Sequence, residues 1–190
     1  MKKILVILLA TVVIVNAACT VEKTTPIDVT WTGYKTPKKI GVNGGFLAIV
    51  YKGKEKAETV PALLLKSQVM IEANNVDSKN SFRDAKLVQF FFNMMQGAVL
   101  MADVVSIKGD DKSGTLVVNI GMNNKAIDVQ MSYTVNNGKL QAKGKLDLLD
   151  FNAQEPLKML TLNCYALHEG KTWSDVDVRF SFDITKNCEK

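Results

Sequence analysis

A single histidine, His168, bears most of what could be enzymatic in this sequence of 190 residues. Any Ser/His/Asp or Cys/His site would have to recruit it, because a hydroxyl or thiol nucleophile needs a base within hydrogen-bond reach. Cys164 stands four residues earlier, which places thiol and imidazole on one face if the segment is helical, and Glu169 follows directly. That spacing would suit a thiolate–imidazole pair or two ligands of a metal site. The other ligands are missing: there is no second histidine, and no Cys, Asp or Glu recurs at metal-ligand spacing. A histidine ending a helix near its C-terminal dipole and a buried small hydrophobic thiol explain the two residues better. No catalytic residue, metal or cofactor is expected. The pair Asp110-Asp111 falls in GDDKSG (109–114), where such residues serve the backbone of a turn. Gly-rich VNGG (42–45) lacks the following helix and Lys-Ser/Thr pair of a phosphate loop.

The remaining chemistry is that of excluding water. Residues 82–95 read FRDAKLVQFFFNMM, with three consecutive phenylalanines and two methionines behind a charged start. As a helix N-capped by Ser81, with Asp84 in the first turn favoured by the dipole, the stretch aligns Leu87, Phe91, Met94 and Met95 on one face, with Phe90 and Phe92 beside it. Such a face either plugs a core or lines a pore for something apolar, the methionines being flexible and polarizable. The formal charge of +5 is spread over KTPKK (35–39), YKGKEK (51–56) and GKLQAKGK (138–145) without interleaved aromatics, so a nucleic-acid partner is not expected.

The elements that must position these residues begin after an address. MKKILVILLATVVIVNAAC (1–19) has two lysines, an apolar run from Ile4 to Val15 that is too short to span a bilayer, and small residues before a cut, as a secretory signal peptide does. Residues 1–18 are therefore read as a signal peptide and 19–190 as one domain, with a periplasmic location. Removing Lys2 and Lys3 leaves 22 basic against 19 acidic residues. Lipid anchoring at Cys19 is the competing reading; Asn16 stands where such signals usually carry a leucine-like residue. Export also permits disulfides, and an odd set of three, Cys19, Cys164 and Cys188, requires one to be free, lipidated or paired between molecules.

Along the mature chain, period-two alternation dominates, in runs at 27–35, 39–51, 63–73, 98–108, 114–122, 126–135, 139–149 and 175–185. Clusters of Gly, Asn and Asp join most of them as hairpin turns. Segments 78–95 and 153–170 instead carry helical patterns. A mostly antiparallel domain hides its edges best by closing, and about eight strands enclose room for one small ligand.

Four stretches resemble the YceI-like family of periplasmic polyisoprenoid-binding proteins. NNVDSKNSFRDAKLVQFFFN (74–93) is similar to the family's strand ending in Val-Asp followed by a helix opening with Arg-Asp; the matching positions are Val76, Asp77, Arg83, Asp84, Leu87 and Phe92. VNIGMNNKAIDV (118–129) resembles its hairpin, KLDLLDF (145–151) its late strand ending in Asp-Phe, and GKTWSDVDVRFSF (170–182) its closing segment. The resemblance implies an all-β fold, an extended eight-stranded antiparallel β-barrel (lipocalin-like) with two short helical segments. Its pore would hold an isoprenoid, quinone-like or fatty lipid. Two departures stand out: Lys35 replaces a His the family often carries near the end of its first strand, and segment 153–168 is longer than the family's usual connection.

On that fold the inward strand faces supply Trp31, Phe46, Val69, Ile71, Leu100, Val118, Ile120, Val129, Met131, Leu146, Leu148, Val178 and Phe180, and the helix supplies Leu87, Phe91 and Phe92. Small residues at Gly33, Gly44, Gly45, Ala48, Ala98, Ala102, Ala142 and Gly144 withhold bulk, leaving open whether the interior is hollow or the strands merely bend there. In a closed barrel the first and last strands pair, so Cys19 and Cys188 leave the same rim and are expected to form the disulfide, with Cys164 a buried thiol. The expected function is a periplasmic carrier that sequesters a long-chain amphiphile, in transient contact with a membrane and with a homodimer left open. A structural or stress-related interaction protein with a filled barrel is the alternative.

Overall fold

The computed structural model describes residues 19–188, so the export signal expected over 1–18 lies outside the described residues. In chain order the elements are strands β1 (Cys19–Lys23), β2 (Asp28–Lys35), β3 (Ile40–Phe46), β4 (Ile49–Lys52) and β5 (Lys56–Ala57), helix α1 (Val60–Leu64), strands β6 (Gln68–Glu72) and β7 (Val76–Asp77), helix α2 (Ser81–Phe90), strands β8 (Val99–Gly109), β9 (Ser113–Met122), β10 (Lys125–Asn136) and β11 (Lys139–Asp147), helices α3 (Gln154–Asn163) and α4 (Tyr165–His168), and strand β12 (Thr172–Cys188). All pairings are antiparallel.

The fold is all-β and barrel-like, and the eight alternating runs reappear in it, with three strand breaks in or beside them. β3 and β4 are one strand broken at Leu47-Ala48, and β6 and β7 are one strand broken by the 3₁₀ turn Ala73–Asn75. β4 pairs with β6 and β3 with β7, and the Leu47 N–H donates to the Asn75 carbonyl across the break. From there the order runs β6-β8-β9-β10-β11-β12-β2-β3, so the sheet returns to its start. The third interruption separates β1 from β2 around Pro26, which has no N–H to give to a ladder; both halves lie along β12. β1 itself goes beyond the alternation read from sequence, which started the first strand at 27.

Local chemistry explains where the chain departs from expectation. Residues 63–64, read as the beginning of a strand, belong to α1: Thr59 caps it by accepting from the Ala62 N–H at 3.2 Å, and Pro61 lies in its first turn. Leu148–Phe151, read as the end of a strand, is a 3₁₀ turn initiated by the Asp147 carboxylate, which accepts from the Leu149 N–H at 2.9 Å. The tight hairpins turn where expected, with Asn123 and Asn124 between β9 and β10 at φ of 52° and 60°.

One end of the barrel is filled. Val60, Leu63 and Leu64 of α1 pack with Val21, Leu116, Tyr133, Leu140 and Phe182 in a single buried cluster. The turn carboxylates serve this stopper. Asp111 accepts from the Val60 N–H at 2.9 Å at the start of α1 and pairs with Lys186 at 2.6 Å, while Asp110 accepts from the N–H groups of Lys112 and Ser113. A second cluster at the other end gathers Phe91, Phe92, Met95, Phe151 and Leu160 under α2 and α3.

Cys19 and Cys188 are direct partners in the β1–β12 register and form a disulfide, enclosing 169 residues of sequence separation. Closing so long a loop removes unfolded-state entropy worth about 5 kcal/mol in the chain-entropy model. Replacing both cysteines by serine is expected to lower the urea midpoint markedly, toward that bound, while leaving the far-UV spectrum unchanged. An unaltered midpoint would show that the reduced chain is held in the same compact ensemble without the bond.

Candidate functional site

Between the filled end and the helical end lies a cavity of ≈ 500 Å³, within the roughly 300–1,000 Å³ range of small-molecule sites. Strands build its wall because alternate residues face inward: Trp31 from β2, Val69 and Ile71 from β6, Leu100 and Ala102 from β8, Val118 and Ile120 from β9, Met131 from β10, Leu146 from β11, and Val178 and Phe180 from β12. Phe46, Leu87, Phe91 and Phe92 line its helical end. Phe92 meets Phe91 edge-on at 5.2 Å between centroids and Phe46 at 6.3 Å.

All the residues expected to bind ligand therefore line this cavity except Val129. That side chain is buried in the filled cluster beside Val118, its register partner, and the cavity stops short of it. The methionines of 82–95 differ from expectation as well. α2 ends at Phe90, and Phe91 has left helical geometry, with φ −126° and ψ −66°. The following 3₁₀ turn carries Met94 out to solvent and tucks Met95 into the core above the cavity. The N-cap is Asn80 rather than Ser81: its Oδ1 accepts from the Arg83 N–H at 2.9 Å, while Ser81 is the first helical residue.

Two of the small residues, Gly44 and Gly144, make room for neighbours, while Gly33 and Ala102 line the cavity. An ideal Cβ on Gly44 would stand 2.2 Å from the Trp31 indole, and one on Gly144 would stand 2.7 Å from Met131 Cγ. Trp31 can thus lie flat across its cross-strand partner Gly44. Its Nε1–H is buried with no acceptor among the described residues.

Sequence reasoning missed the contribution of the second helical segment. Leu157, Leu160, Cys164 and Leu167 line the cavity, and so does His168. Their spacing of three, four and three is the helical period that could have revealed them. Phe82 and Leu167 line the cavity yet are 67% and 55% exposed, so they stand at its opening.

At this opening the thiol and imidazole do not form a catalytic pair. His168 Nδ1 lies 2.7 Å from Thr172 Oγ1. Burial holds the His168 pKa below its ordinary value, helped by the Lys35 and Lys86 ammonium groups. Burial pushes the Cys164 thiol up, against the pull of the same two lysines. Both groups are thus held neutral, opposite to the thiolate–imidazolium state that nucleophilic chemistry requires.

No family model matches this sequence, and no curated protein is similar to it in sequence. Solved structures are similar in fold. A polyisoprenoid binding domain from Saccharophagus degradans, described as implicated in plant cell wall breakdown, superposes with a TM-score of 0.58 at 13% identity, covering 92% of this chain and 100% of that one. Burkholderia cenocepacia BcnA gives 0.58 at 10% identity over 84% and 96% of the two chains. Campylobacter jejuni YceI gives 0.54 at 18% identity over 78% and 85%. The fold is YceI-like.

A depressed His168 pKa has a direct consequence for stability. The unfolded chain regains the ordinary value near 6.5 and binds more protons than the folded one below it, so stability is full above that pH and falls as pH drops through it. Between pH 7 and 5 the urea midpoint is expected to decline in the parent protein and to stay flatter in His168→Gln, since no other histidine titrates there. Parallel profiles would remove His168 as the source.

Proposed function

We propose that this protein is an exported carrier that shelters a long-chain amphiphilic lipid, such as a polyisoprenoid, quinone-like or fatty compound, in the hollow half of its barrel. The observation that carries the reading is the ≈ 500 Å³ cavity whose walls are built almost wholly from apolar side chains. His168 and Cys164, which line it, are both held neutral. The driving force is desolvation, each buried CH₂ contributing roughly 0.8 kcal/mol. The likeness to a domain named as polyisoprenoid binding supports the choice of ligand class.

An oxidising compartment fits both the signal-like residues 1–18 and the Cys19–Cys188 bond. Loading at a membrane fits the helices around the opening, where Phe82, Leu162, Tyr165 and Leu167 are all more than half exposed. A chain leaving a bilayer would pass such a rim without entering bulk water.

Two measurements test the reading. Organic extraction of the purified protein followed by mass spectrometry is expected to release an isoprenoid or acyl lipid. Ile120→Trp, which adds bulk to the middle of the cavity wall, is expected to fold and to lose binding of a long-chain isoprenoid alcohol by an order of magnitude or more. Undiminished binding by a folded Ile120→Trp protein would place the ligand elsewhere.

A further inference from the structure

The cavity is apolar along its walls, but its opening is cationic. Lys35 at the end of β2, and Arg83 and Lys86 on α2, all line it and are all half-buried. Of the described lysines elsewhere, those at positions 23, 39, 79, 145, 158 and 186 pair with carboxylates, and the unpaired ones are exposed except Lys125. Among the described residues, none of the three cations at the opening does. Glu169, the acidic residue adjoining His168, is exposed.

Two of the three have some occupation. The Arg83 guanidinium donates to Ser78 Oγ at 2.7 Å and to the Ser78 carbonyl at 2.6 Å. Lys86 Nζ donates to the Asn163 carbonyl at 3.0 Å, at the end of α3, and lies over the rings of Phe82 and Phe90. Asp84 accepts from the same Ser78 hydroxyl, so Arg83 has a carboxylate one hydrogen bond away, whereas Lys86 has no described counter-charge. Lys35 has no protein acceptor among the described hydrogen bonds. It sits opposite Thr172 in the β2–β12 register, and Thr172 holds the His168 ring. The charges of Lys35 and Lys86 both act on His168 and Cys164, and both lysines line the cavity with them.

Half-buried charge of one sign costs free energy unless something neutralises it, and at the mouth of an apolar cavity the natural neutraliser arrives with an apolar tail. We infer that Lys35 and Lys86, with His168 beside them, receive an anionic head group, a carboxylate or phosphate, on the amphiphile whose chain occupies the cavity. The inference rests on the carrier reading and narrows its ligand from amphiphiles in general to anionic ones.

The single histidine reports on the site directly. Its imidazole signals are followed by NMR against pH with farnesyl phosphate, with farnesol and with inorganic phosphate, and the affinity of each lipid is measured alongside. Farnesyl phosphate is expected to raise the His168 pKa and to bind about tenfold more tightly than farnesol, the scale of one charge-assisted hydrogen bond. Lys35→Met and Lys86→Met, made separately so that one folded variant suffices, are each expected to narrow that ratio. Equal affinities with an unmoved His168 would overturn the anionic head while leaving the carrier intact. Failure of both lipids to bind would overturn the carrier and this inference with it. A rise of the His168 pKa with inorganic phosphate equal to that with farnesyl phosphate would reduce the cluster to a plain anion site and overturn the assignment to a lipid head.

Discussion

The seam between β2 and β12 is the pairing on which the interior depends. Trp31 faces Val178 across it and Val29 faces Phe180, so opening the seam would split the cavity wall and leave two long edges unpaired. Two residues of the mouth, Lys35 and His168, are also referred to it. Lys35 lies at one end of the seam, opposite Thr172, and Thr172 fixes the ring of His168. β1 extends the same seam at the other end, down to the disulfide. One line of backbone hydrogen bonds thus joins the wall of the hollow to Lys35 and His168 at its opening.

The strands that wall the cavity also fill the barrel below it, and the difference arises from what meets them. β10 carries Met131 beneath the cavity and Tyr133 in the solid cluster two residues on, where the Tyr133 hydroxyl donates to the Asp110 carbonyl at 2.6 Å. At that depth α1 inserts Leu63 and Leu64, and no space remains. Toward the helical end no such insertion occurs: α2 and α3 lie across the barrel as a roof instead of entering it, and volume is left between roof and floor. Hollow and filled are therefore properties of two levels of one barrel rather than rival descriptions of the whole.

Much of this was legible in the sequence because period-two alternation leaves little freedom. Once one face of 175–185 must be inside, Val178 and Phe180 point at the cavity and Arg179 between them is exposed. Turn chemistry was equally readable at Asn123-Asn124. What alternation could not show was where inward stops meaning cavity-lining: Val129 obeys the pattern and is still packed away, because depth along the axis depends on the α1 insertion. Nor could it show that α1 exists, since Val60, Leu63 and Leu64 are as apolar as a strand, and only Thr59 and Pro61 mark the helix start. The phenylalanines of 90–92 were readable as a greasy cap, but the break in helix geometry at Phe91, which turns the two methionines away, depends on tertiary packing. Of the mouth, sequence offered His168 and Lys35 as separate curiosities; only the register of β2 with β12 brings them together.

The place of the three cysteines bears on the order in which the molecule can be completed. Synthesis proceeds from the N-terminus, so the Cys19 thiol is delivered first and its partner arrives only after all the other barrel strands. In the interval Cys164 is the earlier and therefore wrong acquaintance. The fold withdraws it: Cys164 is 5% exposed, and burial keeps it protonated, which slows attack on any disulfide. The roof over the cavity thereby keeps the third thiol from exchanging with the finished Cys19–Cys188 bond.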